Sequence, residues 1–206
     1  MFSGIVTAIG IIQRILTHTD SIDFVIRIPD TFNDLTLGES IAVNGVCLTV
    51  TGFSQTSMNV TAVPETLRVT NLGQLTETSL VNLERSITLN TRLGGHYVQG
   101  HVDAVGEILD IQTEGSTALL VKISIPPALG KYIVRKGYIT LDGMSITVID
   151  TAPNWVTVTF IPHTQQVTVV NQYQKGSKIN LEVDILGKYI EKLMTPVLLN
   201  KINTLV

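Results

Sequence analysis

One cysteine, Cys47, is all that the 206 residues contain. No intrachain disulfide can staple such a fold, and a reducing compartment, the cytoplasm, is expected. Charge is scarce as well: Asp, Glu, Lys and Arg make up 15% of the chain against 44% apolar residues. That is lean for a small soluble monomer and points to apolar surface buried in an oligomer. Neither sign dominates, with 14 basic and 17 acidic side chains, so the electrostatic footprint of a nucleic-acid binder or of a protein held on an anionic membrane is missing. Small-molecule partners are favoured. The amino end, Met1-Phe2-Ser3-Gly4, lacks the basic region and apolar stretch of a secretory signal, and no run approaches the ~20 apolar residues of a spanning helix. No glycine-rich loop opens a helix, which leaves dinucleotide and P-loop binding unsupported. Of the histidines His18, His96, His101 and His163, the closest useful pair, His96 and His101, is five apart. An odd spacing sends the two to opposite faces of a regular strand, so no metal site is expected.

What the sequence has is a repeat. "NGVCLTV" at 44–50 returns as "DGMSITV" at 142–148, an offset of 98. The same offset places Pro64 on Pro162, Thr66 on Thr164, and Asn82-Leu83-Glu84 on Asn180-Leu181-Glu182. Near the two starts the offset is 96, pairing Gly4, Val6, Ala8 and Gly10 with Gly100, Val102, Ala104 and Gly106. Two homologous domains follow: residues 1–96 and 97–186, with the junction near Asn90 to Val98 and a tail of 187–206. Within each half the signal is strand, with β-branched period-2 stretches such as Phe24-Val25-Ile26-Arg27-Ile28 and Trp155-Val156-Thr157-Val158-Thr159-Phe160. Asn44-Gly45 and Asp142-Gly143 are hairpin turns, because a two-residue type I′ loop needs positive φ at both positions. The expected fold is all-β, two tandem six-stranded antiparallel barrels of Greek-key type. Only the tail reads as helix, from Gly187 to Pro196, with the apolar run Val197-Leu198-Leu199 after it. Its stripe is buried either in an oligomer interface or against its own barrel.

Alternation after the first turn puts Cys47, Thr49 and Thr51 on one strand face and Val46, Leu48 and Val50 on the other. The second copy sets Ser145 and Thr147 opposite Met144, Ile146 and Val148. One face is core; the other is a solvated exterior or the wall of a polar ligand site. Cys47 has no neighbouring base, so a buried small hydrophobe is as good a reading as a nucleophile. Asp150-Thr151-Ala152 has the look of an aspartic-protease loop, but position 52 is Gly52, so the second aspartate is missing.

"MFSGIV", "SIAVNGVCLTV", "PETLRVTNLG", "VNLERS", "GGHYVQGHVD", "GYITLDGMSITV", "IPHT" and "INLEVDILGKYIEKL" together closely resemble the riboflavin synthase family across essentially the whole chain. The resemblance implies a homotrimer, no cofactor and no metal. It also implies a dismutation in which one 6,7-dimethyl-8-ribityllumazine gives a four-carbon unit to another, yielding riboflavin and 5-amino-6-ribitylamino-uracil. By the same resemblance Gly4, Ile5, Val6, Ser145, Ile146, Thr147, Thr159, Phe160, Ile161, Pro162, His163 and Thr164 line one lumazine pocket. Cys47, Leu48, Thr49, Thr61, Ala62, Val63, Pro64, Glu65, Thr66, Gly100, His101 and Val102 line the other, with Lys136 arriving from a neighbouring subunit. The catalytic set it implies is His101, Ser145, Cys47, Thr147 and Asp184, where Asp184 either orients a proton or simply ends the last strand. Imidazole suits His101 to proton traffic near neutrality. The two halves differ at Ile5/His101, Cys47/Ser145, Ala62/Phe160 and Glu65/His163, and these departures are candidates for separating donor from acceptor. Docking inside a lumazine synthase capsid stays open. The rival reading is a lumazine or flavin antenna protein, which has the same fold and binds without chemistry.

Overall fold

A computed structural model describes residues 1–203, with side chains through Met194. The first half contains β1 (Ala8–Thr17), β2 (Ile22–Arg27), β3 (Ser40–Val43), β4 (Val46–Phe53), β5 (Ser57–Ala62) and β6 (Leu80–Arg85). The second contains β7 (Ala104–Glu114), β8 (Ala118–Ser124), β9 (Tyr138–Leu141), β10 (Met144–Ala152), β11 (Trp155–Phe160) and β12 (Lys178–Val183). Each half closes into a barrel with the same strand order, β1-β2-β5-β4-β3-β6 and β7-β8-β11-β10-β9-β12. The duplication reaches into the irregularities. Register shifts between Ile12 and Arg14 and between Val50 and Gly52 return between Ile108 and Asp110 and between Val148 and Asp150.

Inward-facing positions alternate as the sequence predicts: Phe24 and Ile26 on β2, and Val46, Leu48 and Val50 on β4, fill one core. Val121, Ile123, Val148, Val156 and Val158 fill the other. The hairpin turns are of the expected kind, with positive φ at Asn44 (46°) and Gly45 (75°) and at Asp142 (42°) and Gly143 (85°).

Helical content departs from expectation in three places. Short helices α1 (Pro64–Val69) and α2 (Pro162–Val167) follow β5 and β11. Proline supplies the first helical residue of each, where its missing N–H costs nothing, but six residues are too few for a helical period to show in the sequence. The tail helix, α3 (Ile185–Asn203), starts two residues before Gly187 and continues through Pro196. A proline removes one backbone bond, and the bonds on either side carry the helix past it. The side chains of Val197, Leu198 and Leu199 lie outside the described residues.

The barrels meet about a local two-fold on the two hairpin turns. A Cβ added to Gly45 would sit 2.5 Å from the Gly143 backbone nitrogen, so only glycine permits this approach. Around it the buried Asn82 donates from Nδ2 to the Asp142 carbonyl (2.9 Å), and Asn180 does the same to the Asn44 carbonyl (2.8 Å). Side chains at the seam break the symmetry, above all at the turn: where the first half has Asn44, the second has Asp142. Its Oδ1 accepts from the Asn180 N–H (2.8 Å) and Asn71 Nδ2 (3.1 Å), and its Oδ2 from the Tyr173 hydroxyl (2.8 Å). Burial pushes this carboxyl up to about 7. An unfolded aspartate titrates near 3.9, so the native state keeps a proton that the unfolded chain releases, and stability falls as pH rises from about 4 to about 7. Asp142→Asn keeps the acceptor and can donate to Tyr173. It is expected to leave stability unchanged near pH 4 and raise it by about 4 kcal/mol at pH 8, which urea denaturation at the two pH values will read.

Candidate active site

The amino-terminal segment leaves its own barrel and docks on the other. The Gly4 carbonyl accepts from the Ser145 N–H on β10 (2.8 Å), and Val6 packs on the second core. The segment entering the second half does the reverse: the Gly100 carbonyl accepts from the Cys47 N–H on β4 (2.8 Å), and Val102 packs on the first core. The two crossing segments pair with each other at Phe2 and Val98, through N–H···O bonds of 2.7 and 3.1 Å. Two buried carboxylates hold the crossing. Glu84 accepts from the Ser3 N–H (2.7 Å), the Ser3 hydroxyl (2.7 Å) and the Gly4 N–H (3.0 Å). Glu182 accepts from the Gln99 N–H (2.7 Å) and the Gly100 N–H (2.9 Å). Burial raises the pKa of both, opposed by those N–H groups.

The sequence-predicted residues thereby fall into two groups, one on each barrel exterior. On the first, Cys47, Thr61, Thr66 and Val102 are half-buried, and Thr49, Val63, Pro64, Glu65 and His101 are exposed. Thr61 donates to Asp23 Oδ1 (2.6 Å), and Glu65 pairs with Arg68. On the second, Ser145, Ile146, Thr159 and Thr164 are half-buried, and Ile5, Thr147, Ile161, Pro162 and His163 are exposed. Thr159 donates to Glu114 Oε2 (2.8 Å). Leu48, Ala62 and Phe160 turn their side chains into the cores, so they can offer a ligand only backbone groups. Lys136 is exposed, its N–H bonded to the Val148 carbonyl, and its ammonium has no partner among the described residues. Both walls are thus built but open.

Sequence reasoning missed His96 as a partner of the site. It is 6% exposed, stacks on Tyr138 with 5.1 Å between ring centroids, and places Nδ1 2.7 Å from Ser145 Oγ and Nε2 3.2 Å from Thr140 Oγ1. Burial pushes its pKa down against the pull of Asp184. The neutral ring therefore has one donor and one acceptor nitrogen for two hydroxyls. The repeat could not reveal this residue, since an offset of 96 maps His96 to the position before Met1. Ser145 has an imidazole beside it, whereas its counterpart Cys47 has no such neighbour from the repeat.

Asp184 begins α3: its Oδ1 accepts from the Leu186 N–H (3.0 Å) and its carbonyl from the Gly187 N–H (3.0 Å). The helix is latched to its own barrel by Lys188 on Asp103 (2.6 Å) and by Glu191 on Lys131 and the Tyr132 hydroxyl. Five of its apolar residues face outward instead. Leu186, Tyr189, Ile190, Leu193 and Met194 are all more than half exposed, next to exposed Val134 and Tyr138.

Two like barrels, each with a polar wall completed by a segment from the other half, define a duplicated small-molecule-binding protein. The profile of the lumazine binding domain matches the chain twice, at residues 3–86 and 99–184. Riboflavin synthase of Bacillus subtilis is 41% identical over 94% of this chain and 90% of its own length, and that of Actinobacillus pleuropneumoniae is 44% identical over the same shares. The Schizosaccharomyces pombe enzyme is 42% identical over 94% of both chains. Among solved structures, LumP complexed with riboflavin superposes with a TM-score of 0.83 at 26% identity, covering 89% of this chain and all of that one. LumP complexed with 6,7-dimethyl-8-(1′-D-ribityl) lumazine gives 0.80. The chain belongs to the riboflavin synthase family, with two lumazine binding domains in tandem.

Proposed function

We propose that this protein forms riboflavin by dismutation of two molecules of 6,7-dimethyl-8-ribityllumazine, releasing 5-amino-6-ribitylamino-uracil. The observation that carries the reading is the pair of equivalent walls with unequal chemistry. Two copies of one substrate need two similar pockets, and donor and acceptor roles need the pockets to differ. Here one wall has Cys47 and His101 where the other has Ser145, paired with His96, and Ile5. The reaction removes a proton from the 7-methyl group of one lumazine, adds a nucleophile at C7 of the other, and moves protons as the new ring closes. His101 carries proton traffic at the first wall. Cys47, Ser145 and Thr147 supply the thiol and hydroxyls nearest the reacting rings, and Asp184 acts beside His96. Strand-edge backbone groups and the threonines hold the pyrimidinedione and ribityl groups. Holding two substrates face to face is worth roughly 7–11 kcal/mol of the barrier.

Both walls are open in the single chain, so the productive site is completed by a second copy, with the first barrel of one subunit facing the second barrel of its neighbour and Lys136 reaching across. The exposed apolar residues of α3, among the described residues, support a trimer held by that helix. A cytoplasmic location completes the reading. The LumP likeness favours a second reading, binding without chemistry. Incubation with 6,7-dimethyl-8-ribityllumazine alone, with neither metal nor cofactor added, separates the two. One riboflavin per two lumazines, formed catalytically, is the expected result, and tight fluorescent binding with no riboflavin would establish the alternative.

A further inference from the structure

His101 is exposed, and no hydrogen bond holds its imidazole among the described residues. The aim of the ring is set by its backbone, and the backbone just before it is fixed at both ends of one residue. The Gly100 carbonyl takes the Cys47 N–H at 2.8 Å, and the Gly100 N–H lies on Glu182 Oε2 at 2.9 Å. Gly100 has φ of 77°, the conformation that turns successive N–H groups toward one side and makes a cradle for an anion. The cradled anion is the Glu182 carboxylate, 3% exposed, with Gln99 donating to its other oxygen at 2.7 Å. A Cβ on Gly100 would lie 2.7 Å from Cys47 Cβ, so only glycine lets the segment approach β4 this closely.

We infer that Glu182 is a positioning residue for the reaction, acting through the backbone of His101 to hold its imidazole against the Cys47 wall. The inference rests on the function proposed above. Glu84 provides an internal control. It makes the same clamp on Ser3 and Gly4, where Gly4 has φ of 75°, but the residue that follows is Ile5, which has no proton to transfer. Two clamps of equal construction thus serve walls of unequal chemistry.

Glutamine in place of either glutamate keeps the shape and sets an amide NH₂ against one backbone N–H, breaking one bond of the clamp. Glu182→Gln is expected to lower kcat at least tenfold with KM within threefold, whereas Glu84→Gln, which loosens a wall that holds substrate but carries no imidazole, should raise KM at least as much as it lowers kcat. In a His101→Ala background, Glu182→Gln should cost less than a further twofold, because residues acting as one unit are not additive. Equal losses of kcat in the two glutamine variants, or full additivity with His101→Ala, would make Glu182 a structural residue only. If Glu182→Gln does not fold, residue-resolved hydrogen exchange on the unaltered protein decides: slow exchange at Gln99 and Gly100 supports the clamp, and exchange at the rate of an open loop overturns it. Protected amides in a wild-type protein that forms no riboflavin would sink the synthase reading while leaving the clamp as a device of the binding wall.

Discussion

Replacing His101 with alanine is expected to cut riboflavin formation about 100-fold or more while changing lumazine affinity less than threefold. A positioned acid or base contributes on the order of 10² to 10⁴ to a rate by moving a proton only as the transition state forms. A residue used for holding substrate loses binding and turnover together. The geometry favours the first kind. His101 is exposed at the edge of its wall, whereas contacts able to hold the ligand are spread over Thr49, Thr61, Thr66 and the backbone around them. Fluorescence titration with lumazine beside steady-state kinetics gives both numbers. Matched losses would reduce His101 to a binding contact and move the proton chemistry to the other wall, where His96 lies 2.7 Å from Ser145 Oγ.

Removal of residues 187–206 is expected to give folded monomers with activity lowered roughly 100-fold or more, since the intersubunit site proposed above would lose the orientation that brings two substrates together. Folding should survive. Each barrel has its own core, none of whose buried members among the described residues comes from α3, and the latches to Asp103, Lys131 and Tyr132 are a few polar contacts, of modest worth beside a core. What goes is the outward apolar set Tyr189, Ile190, Leu193 and Met194. Light scattering and circular dichroism separate the cases: a truncated chain that stays trimeric would remove α3 from the interface, and a loss of the strand signal would make it part of the fold.

The barrels were legible because their information is periodic and written twice. Val46, Leu48 and Val50 face inward as alternation requires, and the positive φ of Asn44, Gly45, Asp142 and Gly143 is what those turn residues announce. The short helices after β5 and β11 were not legible, since six residues give no period to read, although Pro64 and Pro162 marked where each begins. The pocket walls followed from family resemblance rather than from pattern: nothing in "MFSG" says that Gly4 will bond to Ser145, across 141 positions of chain. The buried glutamates were hidden for a related reason. Glu84 and Glu182 stood out as a repeated triplet, but a charged residue on a strand reads as exterior until a turned backbone is found to wrap it. His96 was least accessible of all, because a comparison of two halves is blind to a residue that occurs in only one.

The exchange of segments between the barrels also explains why two such units share one chain. Each wall is finished by three residues that belong, by sequence, to the other half, Gly4 to Val6 or Gly100 to Val102, so two separate polypeptides would have to find each other before either wall existed. Joined through the segment between β6 and β7, the encounter becomes intramolecular, and its cost is set by the reach of a short linker instead of by the amount of protein in the cell. The tether also removes the requirement that both partners be alike. Once fused, the halves could take different substitutions, cysteine in one and serine in the other, and still meet in a fixed ratio of one to one, so a single dose of protein always delivers both kinds of wall.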